Sequence, residues 1–297
     1  MQHDNQRRAL MKAALAGAVL GTVATPARAE VVRIGHVSLS FYEATAHVIR
    51  WFLERQGWNT GMESGSHSKI FPKIAKGDVD LFVAAWLPHA HADYWSEYGR
   101  DLVKVSTLFE DAQLYWAVPD YVPASEVRSV QDLLKPEVAA RMVKTVRGTL
   151  PDSGLMIGSQ KILEHYKLGD AGYELAPGPA AEWIANCDAR IAAKEWFVMP
   201  LWRPQYLNRK YKFRVLEEPK TFLGGPNTAY LVASQDFWGR LTKKEKALLS
   251  RIELSNRSVT TMDYWVNVEG MSTSAAARQW IGMNADTVSF WITGTEE

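Results

Sequence analysis

Residues 77–95 read GDVDLFVAAWLPHAHADYW, and this stretch decides the fold. The apolar run 81–85 is too short for a helix, and the Gly-Asp turn before it and Pro88 after it bound a buried strand. We expect such a strand inside a parallel sheet that is covered on both faces. Ligands of open sheets lie beyond the carboxyl ends of the strands, so Trp86 belongs either to a ligand site or to the core.

Residues 1–29 have the composition of a cleaved export signal. A basic segment, residues 7–12, precedes the apolar run 13–24, which is too short to span a bilayer. Residues 27–29, Ala-Arg-Ala, have the form of a signal peptidase site, so we expect the mature chain to begin near Glu30. An arginine pair in the basic segment fits a Tat signal as well as a Sec signal, and the predicted location is the periplasm.

The charge balance gives no indication of a nucleic-acid or membrane partner. The chain of 297 residues carries 34 basic and 33 acidic side chains, of which residues 1–29 hold four and one. The mature part therefore holds 30 and 32, a formal charge of −2, which favours neither nucleic acid nor an anionic membrane. Its 268 residues can bury one large or two medium cores. Cys187, the single cysteine, lies on the apolar stripe of a predicted helix, where we expect packing and not reactivity.

The periodicity of apolar residues predicts strands that alternate with helices. The predicted strands are 31–37, 58–63, 81–86, 114–118, 142–146, 196–199, 211–216 and 227–233. The predicted helices are 42–56, 70–75, 129–134, 154–166, 179–193, 242–255 and 272–281, and residues 284–297 have no assignment. The predicted strands and helices within residues 31–86 alternate as in one half of a doubly wound sheet. The predicted helix caps are Thr242, Ser272 and either Asp152 or Ser153. Gly169 is predicted to end the helix 154–166.

The second half of the chain repeats the arrangement around Trp86. Trp202 follows an apolar strand and has Pro204 just beyond it. Two such tryptophans, one in each half, could close on a ligand from opposite sides. The glycine-bearing turn 148–154 precedes a helix whose first amides have no partner within the helix, so it could bind a carboxylate or phosphate group.

A metal site is the alternative interpretation of one segment. His89 and His91 could face one ion if the backbone is extended, with Asp93 as a third ligand, as in a secreted metal-dependent hydrolase. Against this, the residues after Pro88 predict a surface helix, on which residues two apart diverge. The sequence also has no His-Glu-x-x-His and no Gly-x-Ser-x-Gly motif.

The chain resembles the substrate-binding proteins of ABC importers for glycine betaine, proline betaine and choline. The matching segments occur in family order across about residues 31–282: 77–80 (Gly-Asp-x-Asp), 84–88 (Ala-Ala-Trp-Leu-Pro), 91–94, 118–121, 151–156, 201–204 and 211–219. The Trp-Leu-Pro segment is the most specific of them, and the glycine turn is the least.

The resemblance implies a type II periplasmic binding protein, an α/β fold with two lobes. Each lobe would be a doubly wound sheet with flanking helices, and two crossover strands would form the hinge. Residues 30–117 and 221–297 would form the first lobe and residues 118–220 the second. The protein would be a monomeric receptor without a cofactor, not an enzyme, that delivers a small amine ligand to an ABC permease in the inner membrane. A different amine or an amino acid in the same cleft remains an alternative.

Members of this family hold a trimethylammonium group in an aromatic cage, and a carboxylate on backbone amides. Trp86 and Trp202 correspond to cage positions, whereas Leu39 and Leu254 stand where related members carry aromatic residues. The cage could be rebuilt from neighbouring aromatic side chains. The candidate ligand-binding residues are therefore Trp86, Trp202, Phe41, Tyr42, Ser40, Tyr115, Ser153, Gly154 and His67.

Overall fold

The computed structural model describes residues 31–295, so the predicted signal peptide lies outside the described residues. The strands are β1 Val31–Val37, β2 Asn59–Gly65, β3 Leu81–Leu87, β4 Leu102–Pro119, β5 Thr145–Arg147, β6 Glu174–Ala176, β7 Met199–Arg203, β8 Phe213–Val215 and β9 Asn227–Ser234. The helices are α1 Ser40–Arg55, α2 His67–Ala75, α3 Ala92–Tyr98, α4 Pro136–Ala139, α5 Gly154–His165, α6 Ala180–Ala192, α7 Leu207–Lys210, α8 Gln235–Arg240, α9 Lys243–Ser250, α10 Asn256–Asn267, α11 Thr273–Met283 and α12 Ala285–Thr293. None of these helices has the length and apolar character needed to cross a membrane.

The main sheet has the strand order β2-β1-β3-β9-β4-β7, with β8 beside β4. All seven residues of β3 are buried, which confirms the strand predicted at residues 81–85. β1 runs parallel to β2 and β3, whereas β9 runs antiparallel to β3 and β4. The prediction of a parallel sheet around β3 is therefore only partly correct. The chain returns to this sheet through β9 from the opposite end, and the returning strand must run the other way.

Strand β4 belongs to both parts of the sheet. Its residues 102–112 pair with β9, and its residues 113–119 pair with β7 and β8. Asp111 lies where the partner changes, and its φ of 54° is left-handed. We call β1–β3, β9 and their helices the first lobe, and β5–β8 with α4–α7 the second lobe. The predicted lobe boundaries after residues 117 and 220 stay a prediction.

Three polar residues cap helices as predicted. Ser153 caps α5, Thr242 caps α9 and Ser272 caps α11, and each side chain accepts a hydrogen bond from the amide three residues further on. Such bonds satisfy amides that have no partner within the helix. The stop predicted at Gly169 is wrong, because α5 already ends before Lys167, which takes a left-handed conformation with a φ of 52°.

The carboxyl-terminal segment differs most from the prediction. The helix expected over residues 242–255 ends at Ser250, and α10 and α12 follow as separate helices that the periodicity does not predict. Trp265, Trp280 and Trp291 are all buried, which confirms that they pack in the core. The rings of Trp280 and Trp291 stack with centroids 6.0 Å apart, so α11 and α12 are joined by this contact.

Cys187 is buried within α6, on the face that the sequence predicts to be apolar. Burial raises the pKa of its thiol to about 12, with a smaller contribution in the same direction from Asp188. The thiol is therefore protonated at neutral pH. This environment confirms a packing role, because the reactive form of cysteine is the thiolate.

Candidate functional site

The carboxyl ends of β1, β2, β3, β5 and β7 converge on one cavity. Its lining consists of Leu39, Phe41, Tyr42, His67, Trp86, Ala90, His91, Leu114, Thr149, Ser153, Gly154, Leu155 and Trp202. Seven of the nine candidate ligand-binding residues are in this set. They meet because each follows or ends a strand, and ligand sites of α/β sheets form at that edge. Whether these residues contact a ligand stays a prediction.

Phe41 lies between the two tryptophans that the sequence singled out. Its ring centroid is 5.9 Å from that of Trp86 and 5.8 Å from that of Trp202. Tyr42 adds a fourth ring, 6.1 Å from Trp86. Trp183 stacks on the outer face of Trp202 at 4.9 Å and holds that ring in place. The two tryptophans come from different lobes, so the aromatic cluster spans the interface between them.

The cavity is small. Its empty space is about 350 Å³ including the mouth, of which about 30 Å³ can hold the centre of a water molecule. That is room for roughly two waters. A small organic cation is larger, so we expect side chains of the lining to shift when such a ligand enters, with the lobes closed around it.

Several polar atoms of the lining lack a hydrogen-bond partner. Within residues 31–295 these are His67 Nδ1, Trp86 Nε1, Thr149 Oγ1 and Trp202 Nε1, and all are buried. An indole N–H can only donate. Each unpartnered buried polar group is unfavourable by about 1–3 kcal/mol. A ligand that presents hydrogen-bond acceptors would remove part of this penalty.

Asp152 connects the second lobe to the first beside His67. Its Oδ2 accepts a hydrogen bond from the amide of Ser68 at 2.8 Å, and its carbonyl oxygen accepts one from the Tyr94 hydroxyl at 2.9 Å. Its Oδ1 is 3.9 Å from His67 Nδ1. Burial would raise the pKa of Asp152, but His67 and Ser68 outweigh it and hold the pKa below its ordinary value. The carboxylate is therefore ionised and holds the start of α2.

The start of α5 presses against the loop that follows β3. A Cβ atom added at Gly154 would lie 2.0 Å from the carbonyl oxygen of Ala90, so only glycine fits this contact between the lobes. The amides of Gly154 and Leu155 open the helix and have no partner within it. Both residues line the cavity, which is where the sequence predicted amides that could bind a carboxylate. The Ser153 hydroxyl donates to the carbonyl of Leu150 and caps the helix.

Two candidate residues lie outside the lining. Ser40 Oγ donates to Asp263 Oδ1 at 2.6 Å, and Tyr115 donates its hydroxyl to Asn208 Oδ1, also at 2.6 Å. Adjacent residues of a strand face opposite sides, and on β4 it is Leu114 that faces the cavity. Ser40 is the first residue of α1, and its side chain points towards α10. The proposed rebuilding of the cage therefore applies to Phe41 and Tyr42 and not to Tyr115.

The histidine pair behind the metal hypothesis has other contacts. His91 is buried, and its Nδ1 accepts the amide hydrogen of Trp86 at 2.9 Å. Burial, and next the neighbouring His67, hold the pKa of His91 well below its usual value. His89 packs against Gly224, where an added Cβ would lie 2.3 Å from the His89 Cβ. Among the described residues, no three His, Cys, Asp or Glu side chains are arranged to hold a metal ion.

Sequence reasoning missed some of the lining. Thr149, Ala90 and Leu155 are cavity residues that no local pattern distinguishes from ordinary turn or helix residues. Trp183 supports Trp202 from α6, and only its place on the apolar stripe of that helix could have indicated burial. Leu254 is buried away from the lining, with its amide bonded to the carbonyl of Leu108 at 2.6 Å.

Comparisons with known proteins identify relatives of this chain. The glycine betaine/carnitine transport binding protein GbuC of Listeria monocytogenes is 22% identical over 165 residues, which are 55% of this chain and 54% of that protein. The chain thus matches about half the length of this curated relative. The glycine betaine, L-proline binding protein ProX of Borrelia burgdorferi has a TM-score of 0.80 at 22% identity, with 88% of this chain and 96% of that chain covered.

A second solved structure is that of lactococcal OpuAC in a closed, liganded conformation with glycine betaine. It has a TM-score of 0.79 at 21% identity and covers 89% of this chain and 100% of its own. At these identities the likeness concerns the fold, and it confirms the predicted two-lobed α/β class. The family model OpuAC, the substrate-binding domain of ABC-type glycine betaine transport systems, matches residues 30–282. Since that match spans most of the sequence, the chain belongs to the OpuAC family of substrate-binding domains.

Proposed function

We propose that the protein is a periplasmic receptor, and not an enzyme, that captures a small quaternary ammonium or zwitterionic amine and delivers it to an ABC permease. The observation that carries the proposal is the Phe41 ring, held 5.9 Å and 5.8 Å from the rings of Trp86 and Trp202. Family membership supports the same function. The exported, monomeric state and the permease partner are parts of the proposal that follow from the family resemblance.

Three aromatic rings around one cavity favour a cation. The negative faces of the rings attract an ammonium group, and each such contact contributes about 0.5–2 kcal/mol, most when the cation is desolvated. Phe41, Trp86 and Trp202 are each no more than 3% exposed, so a cation among them would be largely desolvated. The Tyr42 hydroxyl stays neutral at the pH of the periplasm, because burial raises its pKa above the ordinary value.

The polar atoms of the lining favour a ligand with a carboxylate. His67 Nδ1, Thr149 Oγ1 and two indole N–H groups are buried without hydrogen-bond partners in the described chain, and α5 presents its first amides nearby. A carboxylate offers two oxygens with about four lone-pair sites, whereas an alcohol offers one oxygen. We therefore propose a betaine-type zwitterion as the preferred ligand over choline. Its ammonium end would lie among the aromatic rings and its carboxylate near His67.

A thermal-shift screen of the mature protein tests this function. Glycine betaine, proline betaine, carnitine, choline and simple amino acids are compared at equal concentration. A ligand at 100 times its dissociation constant stabilises the protein by about 2.7 kcal/mol, which a melting experiment detects readily. We expect a betaine to give the largest shift. A larger shift with choline would exclude the carboxylate preference, and shifts with none of the amines would exclude the proposed ligand class.

A further inference from the structure

Asp263, in α10, is a carboxylate buried between the two lobes. The residue is 0% exposed. Its Oδ1 accepts hydrogen bonds from Ser40 Oγ at 2.6 Å and from Asn267 Nδ2 at 2.9 Å. Its Oδ2 accepts one from the backbone amide of Tyr206, also at 2.9 Å. In the part of the chain that the structure describes, all of these donors are neutral.

These hydrogen bonds join the two segments that carry the aromatic walls. Ser40 begins α1 and directly precedes Phe41, whose ring is 5.8 Å from that of Trp202. Tyr206 follows Trp202 by four residues, between β7 and α7. Asp263 itself is not one of the lining residues. One carboxylate therefore ties the backbone beside Phe41 to the backbone beyond Trp202 from outside the cavity.

The arrangement of donors suits a carboxylate. Burial raises the pKa of Asp263 to about 6, although the hydrogen bonds from Ser40, Tyr206 and Asn267 act in the opposite direction. An ionised carboxylate only accepts, so its two oxygens can serve all three donors. An amide side chain in its place would turn an N–H₂ group towards one of these donors. A buried charge without a counter-ion is unfavourable for folding, so packing alone does not account for this group.

We propose that Asp263 is a positioning residue that fastens the Phe41 and Trp202 walls together when the lobes close. Ser40, Asn267 and Asp263 all belong to the first lobe, so their bonds persist when the lobes part. Only the bond from the Tyr206 amide crosses to the second lobe, so it breaks when the lobes part, and protection of this amide measures how often the lobes are closed. That the walls bind a ligand rests on the proposed function, whereas the fastening of the lobes does not.

The variant Asp263→Asn tests the proposal, with Asp80→Asn as its matched control. Asp80 is also buried, at 2% exposure, but it accepts hydrogen bonds from Arg33 and Arg240 at the amino end of β3, away from the cavity. Calorimetry with glycine betaine is expected to give a dissociation constant raised at least about 10-fold in Asp263→Asn, and within about twofold of wild type in Asp80→Asn. Equal dissociation constants in the two variants would overturn the proposal.

A milder variant keeps the test decisive if Asp263→Asn does not fold. Ser40→Ala removes one donor and leaves the carboxylate in place, so the carboxylate loses its hold on the segment beside Phe41. We expect the dissociation constant to rise about threefold or more. Choline and its neutral tert-butyl isostere, 3,3-dimethylbutanol, should both be affected. A loss confined to choline would show that charge and not positioning is responsible, and an unchanged constant would also contradict the proposal.

A readout without ligand separates this proposal from the proposed function. Hydrogen exchange of ligand-free protein is followed at the Tyr206 amide. Exchange there is expected to be at least about 10-fold faster in Asp263→Asn than in Asp80→Asn, because the single oxygen of Asn has to serve three donors and holds the Tyr206 amide less often. A purely structural role would instead accelerate exchange evenly along α10, and that result would refute positioning. If the wild type binds no amine, the proposed function fails while this comparison still decides the role of Asp263.

Discussion

Gly154→Ala is expected to prevent full closure of the lobes without damaging either lobe. The added Cβ would lie 2.0 Å from the carbonyl oxygen of Ala90, and side-chain carbons essentially never approach closer than 3.0 Å. The start of α5 must therefore move away from the loop after β3 by about 1 Å. Both atoms at this contact are held by backbone, so no rotamer change can relieve it.

A gap of this size weakens the contacts around a ligand. Opening a packed contact by 0.5–1 Å removes about a quarter to a half of its attraction. A ligand bound at about 1 μM has a binding free energy of about 8 kcal/mol, and the loss of a quarter of it is about 2 kcal/mol. We therefore expect the dissociation constant to rise about 30-fold. The free energy of unfolding should change by less than about 1 kcal/mol, because alanine is favourable at the start of a helix.

Calorimetry and small-angle scattering measure these two effects. The matched control is Gly282→Ala in α11, where an added Cβ meets no described atom within 4 Å. This variant should bind glycine betaine like the wild type and compact on binding to the same radius of gyration. Gly154→Ala should remain more expanded at saturating ligand. Wild-type affinity together with full compaction in Gly154→Ala would refute the view that this contact closes the lobes.

Further predictions concern the cage, the polar end of the cavity and the pH dependence. Trp86→Ala should weaken binding of glycine betaine by about 0.5–2 kcal/mol, and Trp86→Phe by less, since a smaller ring face remains. Calorimetry in which a neutral tert-butyl isostere binds as tightly as the cation would rule out the cation–π explanation. His67→Ala should weaken glycine betaine by about 1–3 kcal/mol and choline by less, because only the former offers a carboxylate to that side chain; equal losses would argue against the orientation proposed for the ligand. Burial raises the pKa of Asp263 from 3.8 to about 6, so the folded state binds the extra proton between these values. The stability that this group contributes is present below about pH 3.8 and is lost as the pH rises through 6, by about 3 kcal/mol. Denaturant titrations at several pH values should show this slope in the wild type and not in Asp263→Asn, and parallel curves for the two proteins would contradict it.

Local sequence patterns were sufficient to predict much of the cavity. Trp86 and Trp202 follow apolar strands, and Ser153 caps a helix after a glycine turn, so each could be assigned to the end of a strand. Strand ends in such sheets meet at one edge, which is why these residues come together. The repeated arrangement of strand, tryptophan and proline suggested that the two tryptophans pair around one ligand, and the resemblance to a known family added the aromatic cage for a trimethylammonium group.

Two features could not be predicted in this way: the side of a strand on which a residue lies, and contacts between residues far apart in the sequence. Tyr115 was a candidate, but Leu114 faces the cavity, and the pairing of β4 with β9 shifts register at three places. Such bulges change which side chains share a face, and no simple alternation reveals them. Because of these bulges, the alternation of apolar residues did not predict the first two-thirds of β4. Ser40 bonds to Asp263 across 223 residues of sequence, a distance at which local patterns carry no information.

The shared strand β4 has a consequence for the lifetime of a bound complex. Its hydrogen bonds to β9 end at Ala112 and those to β7 begin at Gln113, next to the left-handed Asp111. A rotation of the lobes about this point changes the dihedral angles of a few residues and leaves both ladders intact. Hinge motions of this kind occur within microseconds to milliseconds. On the proposed function, release of ligand is then limited by the contacts in the cavity, and a permease that separates the lobes would not have to break the sheet.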